Sequence, residues 1–292
     1  MSLRRPLRFV ALGDSTTVGL GDPLPGGGWR GWASLLALAM DAVFINVAVN
    51  GATAADVSGG QLEKALVQRP HIASVLVGVN DTLRGNFRAD VCATHLERTV
   101  AGLTAAGATV LTARMPDPGR MLSLPAALAR PLARRIAEVN TAVDDISRRY
   151  GTVHVDLAGD PRTYERPLWS VDRLHPSEVG HRHIAVEYAA ALTALGFHLP
   201  GRLTVDRSGG AQVTRRGQLW WLATRGTAWV AARSHDLVPQ LVGLAAAEIW
   251  ADLRRRPLEQ PPRPAPVLRT EWRVTPPTPA ALAEVEPVQV AL

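Results

Sequence analysis

The chain has 292 residues, 47% hydrophobic and 20% charged, which suits a globular protein of one sizeable domain plus an appendage and excludes a disordered or fibrous chain. Its formal net charge of +6 is carried almost wholly by arginine, Lys64 being the single lysine, and divides into +2 over residues 1–200, +5 over 201–256 and −1 over 257–292. The nearly neutral first part lacks the clustered cations that nucleic acid demands, and the lone Cys92 excludes an internal disulfide framework.

In chain order, short apolar runs with β character alternate with helical patterns from residue 7 to about 196. Leu7–Leu12 reads as the first strand, followed by a helix over Trp29–Ala39. Val43–Val49 is the second strand, with a helix over Ala55–Gln68; Ala73–Gly78 is the third, with a helix over Ala89–Ala106. Thr109–Ala113 and Val153–Leu157 complete the strands, each followed by a helix, Pro131–Tyr150 and Ser177–Leu195. Strands that are apolar along their whole length imply burial on both faces, so the expectation is an α/β domain with a mostly parallel sheet covered by helices.

Beyond Pro200 a Gly-containing connector leads to a Trp- and Leu-rich stretch, Gln218 to Leu253, read as one or two helices with a break at Pro239. From Pro257 the composition turns Pro-rich and predicts an extended or disordered tail. The domain expectation is therefore an α/β domain at 1–200, a helical extension at 201–256 and a tail at 257–292. The apolar run Phe9–Leu12 is too short for the core of a signal peptide, so a cytoplasmic protein is expected.

Four segments carry chemistry, each at the carboxyl end of a predicted strand or just before a helix, where loops of an open parallel sheet converge. Gly13-Asp14-Ser15 puts a hydroxyl on a turn that opens into a helix, whose first amides face any developing oxyanion. Asn50-Gly51 supplies a glycine backbone that can approach a ligand closely, although Asn-Gly is also an ordinary turn. Gly78-Val79-Asn80-Asp81 presents an amide side chain suited to donate to an oxyanion, the alternative being a helix cap. Asp172-Arg173-Leu174-His175 places a carboxylate three residues before an imidazole, so that Asp172 can orient His175 toward a hydroxyl. His181 and His183, two apart on a helix, point to different faces and are read as structural; no metal and no cofactor is expected.

Taken in order, Gly13-Asp14-Ser15, Gly51, Gly78-x-Asn80-Asp81 and Asp172-x-x-His175 resemble the four signature blocks of the SGNH or GDSL-like hydrolases. The resemblance spans about residues 7–196 and implies a three-layer α/β/α sandwich with a five-stranded parallel sheet, flavodoxin-like. It implies that Ser15 is the nucleophile, His175 the general base and acid and Asp172 its orienting partner, with an oxyanion hole from Ser15 N–H, Gly51 N–H and the Asn80 side chain. The implied activity is hydrolysis of carboxylic esters of small or medium acyl chains through an acyl-enzyme. The alternatives are a carbohydrate O-deacetylase or thioesterase with the same residues, or a binding module that has lost catalysis.

Met115, Met121, Leu122, Leu124 and Trp169 are candidates to line an acyl pocket. The partner expected is a small-molecule ester, with oligomeric state left open. The alternation of Trp220, Trp221, Trp229 and Trp250 with arginines in 215–256 suits an interfacial membrane helix, but we read it as a helical extension packed on the domain or on a second subunit.

Overall fold

The computed structural model describes residues 6–170 and 172–206 and, further along, Gly243, Ala246, Trp250 and Arg254, all four helical. The rest of the expected helical extension, its Trp/Arg pattern and the Pro-rich tail lie outside the described residues. Strand β1 (Arg8–Gly13) is followed by α1 (Ser15–Val18), α2 (Gly31–Ala39) and β2 (Val43–Asn46). Helix α3 (Ala54–Asp56) passes through a π-helical turn, Val57–Gln61, into α4 (Leu62–Val67). Then come β3 (Ile72–Leu76), α5 (Val79–Thr82), α6 (Ala89–Ala105), β4 (Thr109–Arg114), α7 (Pro118–Met121), α8 (Ala126–Tyr150), β5 (Val153–Asp156) and α9 (Glu178–Ala194).

The five strands are all parallel, in the order β2-β1-β3-β4-β5. Phe9, Val10, Ala11 and Leu12 of β1 and all five residues of β3 are buried, as a central strand covered on both faces requires. Helices α2 and α9 pack against each other over one face and α4, α6 and α8 over the other. The first layer is held by a stacked pair, Trp32 of α2 and Tyr188 of α9, with ring centroids 5.0 Å apart and both side chains fully buried. Such a pair adds about 0.5–1.5 kcal/mol beyond the area it buries.

Elements stand where the apolar runs placed them, with three informative departures. Strand β2 ends at Asn46 rather than Val49: Val47 and Val49 N–H still donate to the Ala11 and Gly13 carbonyls, but the return bond is lost because the Gly13 N–H goes to Gln61, and the Asn46 side chain takes the Ala48 N–H and donates to the Thr17 carbonyl. The helix expected over 55–68 is interrupted at Gly59, whose φ of −91° and ψ of −110° are not helical. Helix α8 begins at Ala126 and accommodates Pro131 in its interior, instead of starting there.

With this strand order the chain leaves β1 for the β2 side and returns to β3 on the other, so β1 and β3 flank the point where the winding reverses. The crevice of such a sheet lies at the carboxyl ends of those two strands. These ends carry Ser15 and Asn80.

Candidate active site

Ser15 is held by the turn that ends β1. Gly13 has φ of 152°, and a Cβ there would fall 2.3 Å from the Leu76 carbonyl oxygen, so only glycine lets β1 run so close beside β3. The buried side chain of Gln61 pairs with both backbone groups of Gly13, accepting from its N–H and donating to its carbonyl at 2.9 Å each. Asp14 then caps α1, its Oδ1 accepting from Thr16 N–H at 3.0 Å, which presents Ser15 as the first helical residue.

Asp172 and His175 arrive on a closed loop. Trp169 and Pro176 form an antiparallel bridge, Ser170 N–H donates to the His175 carbonyl at 2.9 Å, and Ser177 N–H donates to Leu168 at 2.8 Å. The Arg166 guanidinium donates to the carbonyls of Trp169 and Ser170, and Arg173, in left-handed backbone with φ of 56°, reaches across to the Ser123 hydroxyl at 2.7 Å. Ser177 caps α9, which begins directly behind the histidine.

Within that loop Asp172 is a hub. Its Oδ1 accepts from Ser170 Oγ, Leu174 N and His175 N, and its Oδ2 lies 2.6 Å from His175 Nδ1. Burial alone would raise its pKa; the hydrogen bonds and charge of His175, with the Ser170 hydroxyl, reverse this and hold the carboxyl down at about 2. An ionised carboxylate only accepts, so His175 carries its proton on Nδ1 and leaves Nε2 as an acceptor. That nitrogen lies 2.9 Å from Ser15 Oγ, bridging 160 residues of sequence. The three side chains read from the sequence as one unit are thus in a single chain of hydrogen bonds, ordered as carboxylate, imidazole, hydroxyl. Such an order lets a hydroxyl lose its proton to a base whose tautomer is fixed from behind.

Asn80 stands in α5, whose N-cap is Gly78, where φ is 132° and a Cβ would fall 2.9 Å from Val139. Its Nδ2 donates to Ala52 O at 3.1 Å and to Asp14 Oδ2 at 3.3 Å, tying α5 to both neighbouring loops. Asp81 does not cap its own helix; its carboxylate accepts from Ala54 N–H, at the start of α3, at 3.1 Å. Together with the Thr53–Asp56 capping box this fixes the short loop that carries Gly51, whose φ of 76° is left-handed. Asp14 is almost fully buried, and that burial pushes its carboxyl up to about 6 against the pull of Thr16 and His175.

Asp14, Ser15, Asn80 and His175 open onto one cavity of about 50 Å³, whose walls are mainly apolar: Leu76, Val79, Met115, Met121, Leu168 and Trp169 among them. Of the five residues named from sequence as pocket candidates, Met115, Met121 and Trp169 line it and Leu122 and Leu124 do not. The Met115 wall is set by a second amide clamp, Asn140, which accepts from Met115 N–H at 2.8 Å and donates to its carbonyl at 2.9 Å. Gln61, Asn140 and the second oxygen of Asp14 were invisible in the sequence, since each acts on a segment 25 to 66 residues away.

His181 and His183 do point apart. His181 is fully buried, accepting from Trp32 N–H through Nδ1 and donating through Nε2 to the Leu20 carbonyl, and burial lowers its pKa to about 4. His183 draws near Asp160 and Glu187, a trio of metal-ligand type. Arg162 bridges those two carboxylates at 2.8 and 2.9 Å, supplying the cation they face. Among the described residues no helix is long and apolar enough to cross a membrane.

Comparison with known proteins identifies the family and matches the fold. A family model described as the GDSL-like lipase/acylhydrolase family matches residues 11–183. Among solved structures, a catalytic mutant of Axe2, an acetylxylan esterase from Geobacillus stearothermophilus, is 18% identical with a TM-score of 0.54, over 72% of this chain and 100% of its own. TesA is 19% identical with a TM-score of 0.51, over 64% of this chain and 98% of its own. The esterase EstA from Pseudoalteromonas sp., inhibited by monoethylphosphonate, is 22% identical with a TM-score of 0.50, over 64% and 97%. At these identities the likeness is one of fold. No curated relative matches the sequence.

Proposed function

The chain belongs to the GDSL-like lipase/acylhydrolase family and is a carboxylic ester hydrolase, and we propose that it cleaves esters of short acyl chains by two-step acyl transfer through Ser15. His175 Nε2 takes the Ser15 proton as Oγ attacks the carbonyl carbon; the alcohol oxygen leaves with that proton, and an acyl-enzyme remains. Water then attacks the acyl carbon, giving a proton to the same nitrogen, and the acid departs as Ser15 recovers its hydrogen. Asp172 keeps the imidazole in the tautomer that can do this and stabilises the imidazolium. Ser15 N–H, Gly51 N–H and the Asn80 amide receive the charge on the carbonyl oxygen.

The observation that carries this reading is the pair of bonds at His175, 2.6 Å to Asp172 and 2.9 Å to Ser15. The pocket supports the short acyl length. A cavity of about 50 Å³ with mainly apolar walls suits a short acyl chain. That size also supports a second reading, a carbohydrate O-deacetylase, since acetyl fits and the Axe2 comparison is with an acetylxylan esterase; the residues and steps would be the same.

An acyl series of p-nitrophenyl esters, assayed beside acetylated xylo-oligosaccharides, tests both. We expect kcat/KM to peak at acetyl to butyryl and Ser15→Ala to abolish turnover and labelling by a fluorophosphonate. Retained turnover in Ser15→Ala refutes the nucleophile, and a maximum at long acyl chains refutes the pocket assignment. A strong preference for the sugar esters selects the deacetylase.

A further inference from the structure

We propose that Asp14 is a positioning residue for the oxyanion hole, holding the Asn80 side-chain amide in the orientation from which it donates to the substrate's developing oxyanion. The proposal rests on the role given above to Asn80. As a helix cap alone, Asp14 is a poor choice of residue. Serine or threonine would cap α1 equally well through Thr16 N–H without burying a charge, yet this carboxylate is only 3% exposed. Its second oxygen supplies the missing reason: Oδ1 serves the cap at 3.0 Å, while Oδ2 receives Asn80 Nδ2 at 3.3 Å.

The same nitrogen donates to Ala52 O at 3.1 Å. Two acceptors on one planar amide nitrogen set both its direction and its rotation, which one acceptor does not do. Asp14, Ser15 and Asn80 all line the same cavity, so the amide so oriented stands beside the nucleophile. The bond to Asp14 is the longer of the two, and its hydrogen is the one shared most readily with an oxygen arriving in the pocket. Preorganised donors of this kind need no reorganisation when charge appears.

Two variants separate capping from positioning. Asp14→Ser keeps a good cap but is too short to reach Asn80. Asp14→Asn has a single acceptor oxygen for two donors, and once that oxygen takes the local cap it turns an NH₂ toward Asn80. Both are to be measured on the full chain with p-nitrophenyl acetate, alone and combined with Asn80→Ala, with thermal melting of each to verify folding. Asn80→Ala should lose about a hundredfold in kcat. Each Asp14 variant should lose roughly tenfold in kcat with KM within about twofold, and less than about twofold further when Asn80 is already alanine, because residues acting through one another are non-additive.

If Asn80→Ala is costly but the Asp14 losses multiply with it, or if Asp14→Ser retains full kcat, Asp14 does not act through Asn80 and the proposal falls alone. If Asn80→Ala itself retains full kcat, the oxyanion role of Asn80 falls, and the proposal with it. The Ser variant preserves the cap and therefore keeps the test open should Asp14→Asn fail to fold.

Discussion

Asp172→Asn changes one atom and should silence the enzyme without unfolding it. Three donors, Ser170 Oγ, Leu174 N and His175 N, converge on Oδ1, so the remaining oxygen of the amide stays with them and the NH₂ takes the place of Oδ2. His175 Nδ1 then faces a donor and must accept, which moves the ring proton to Nε2, the nitrogen 2.9 Å from Ser15. A protonated Nε2 is no base, and the analogous change in serine proteases costs about 10⁴ in kcat. The stability cost is smaller. Holding the Asp172 carboxyl at about 2 rather than 3.8 makes ionisation more favourable in the fold, which contributes about 2 kcal/mol above pH 4 and is lost as pH falls toward 2.

For a domain of this size that is a melting shift of at most about 4–8 °C. The assay is kcat on p-nitrophenyl acetate at pH 8 beside a thermal melt. A variant that keeps more than about a tenth of wild-type kcat would refute the tautomer argument. One that is unfolded at 25 °C would refute the partition between catalysis and stability.

Other perturbations read different parts of the structure. Met121→Ala should enlarge the pocket wall and move the optimal acyl chain two to four carbons longer, measured as kcat/KM across the ester series; an unchanged optimum removes Met121 from the acyl site. Asp81→Ala removes the acceptor of Ala54 N–H and should lower kcat roughly tenfold by loosening the Gly51 loop, read from steady-state kinetics with fluorophosphonate labelling retained but slower.

His181, buried neutral, should destabilise the fold as pH falls from 6.5 to 4, by up to ~3 kcal/mol, because the unfolded chain binds the proton first. Asp14 works against it between pH 3.8 and 6, since its raised pKa makes the fold favour the protonated carboxyl. The difference in melting between wild type and His181→Gln across that window isolates the histidine, and parallel curves would overturn its assignment. Cys92, whose thiol is buried and pushed up in pKa, should react with Ellman's reagent only in denaturant.

The five strands and their long helices were legible because each is an apolar run between turn residues, and burial on both faces writes itself as continuous hydrophobicity. Ser15 and Asn80 were legible because each sits where such a run stops, and Asp172 and His175 because a carboxylate stands three residues before an imidazole just ahead of a helical pattern. What the sequence hid is long-range pairing of polar side chains. Nothing about Gln61 in a helical stretch announces that its amide will copy a strand's hydrogen bonds to Gly13, and nothing about Asn140 predicts the same for Met115. Asp14 was read only as part of a motif, because its second partner lies 66 residues on. The π-helical turn at Gly59 was hidden for a related reason: glycine weakens a helix without saying how the chain will resume.

The nucleophile lies on the first strand, whereas its base stands ahead of α9 and depends on that helix docking over α2 through Trp32 and Tyr188. A ribosome therefore exposes Ser15 long before anything can ionise it, and the nascent polypeptide stays inert toward esters until the segment beyond His175 has emerged and closed the layer. Chains that end before His175 lack the base altogether and should therefore carry no residual hydrolytic activity.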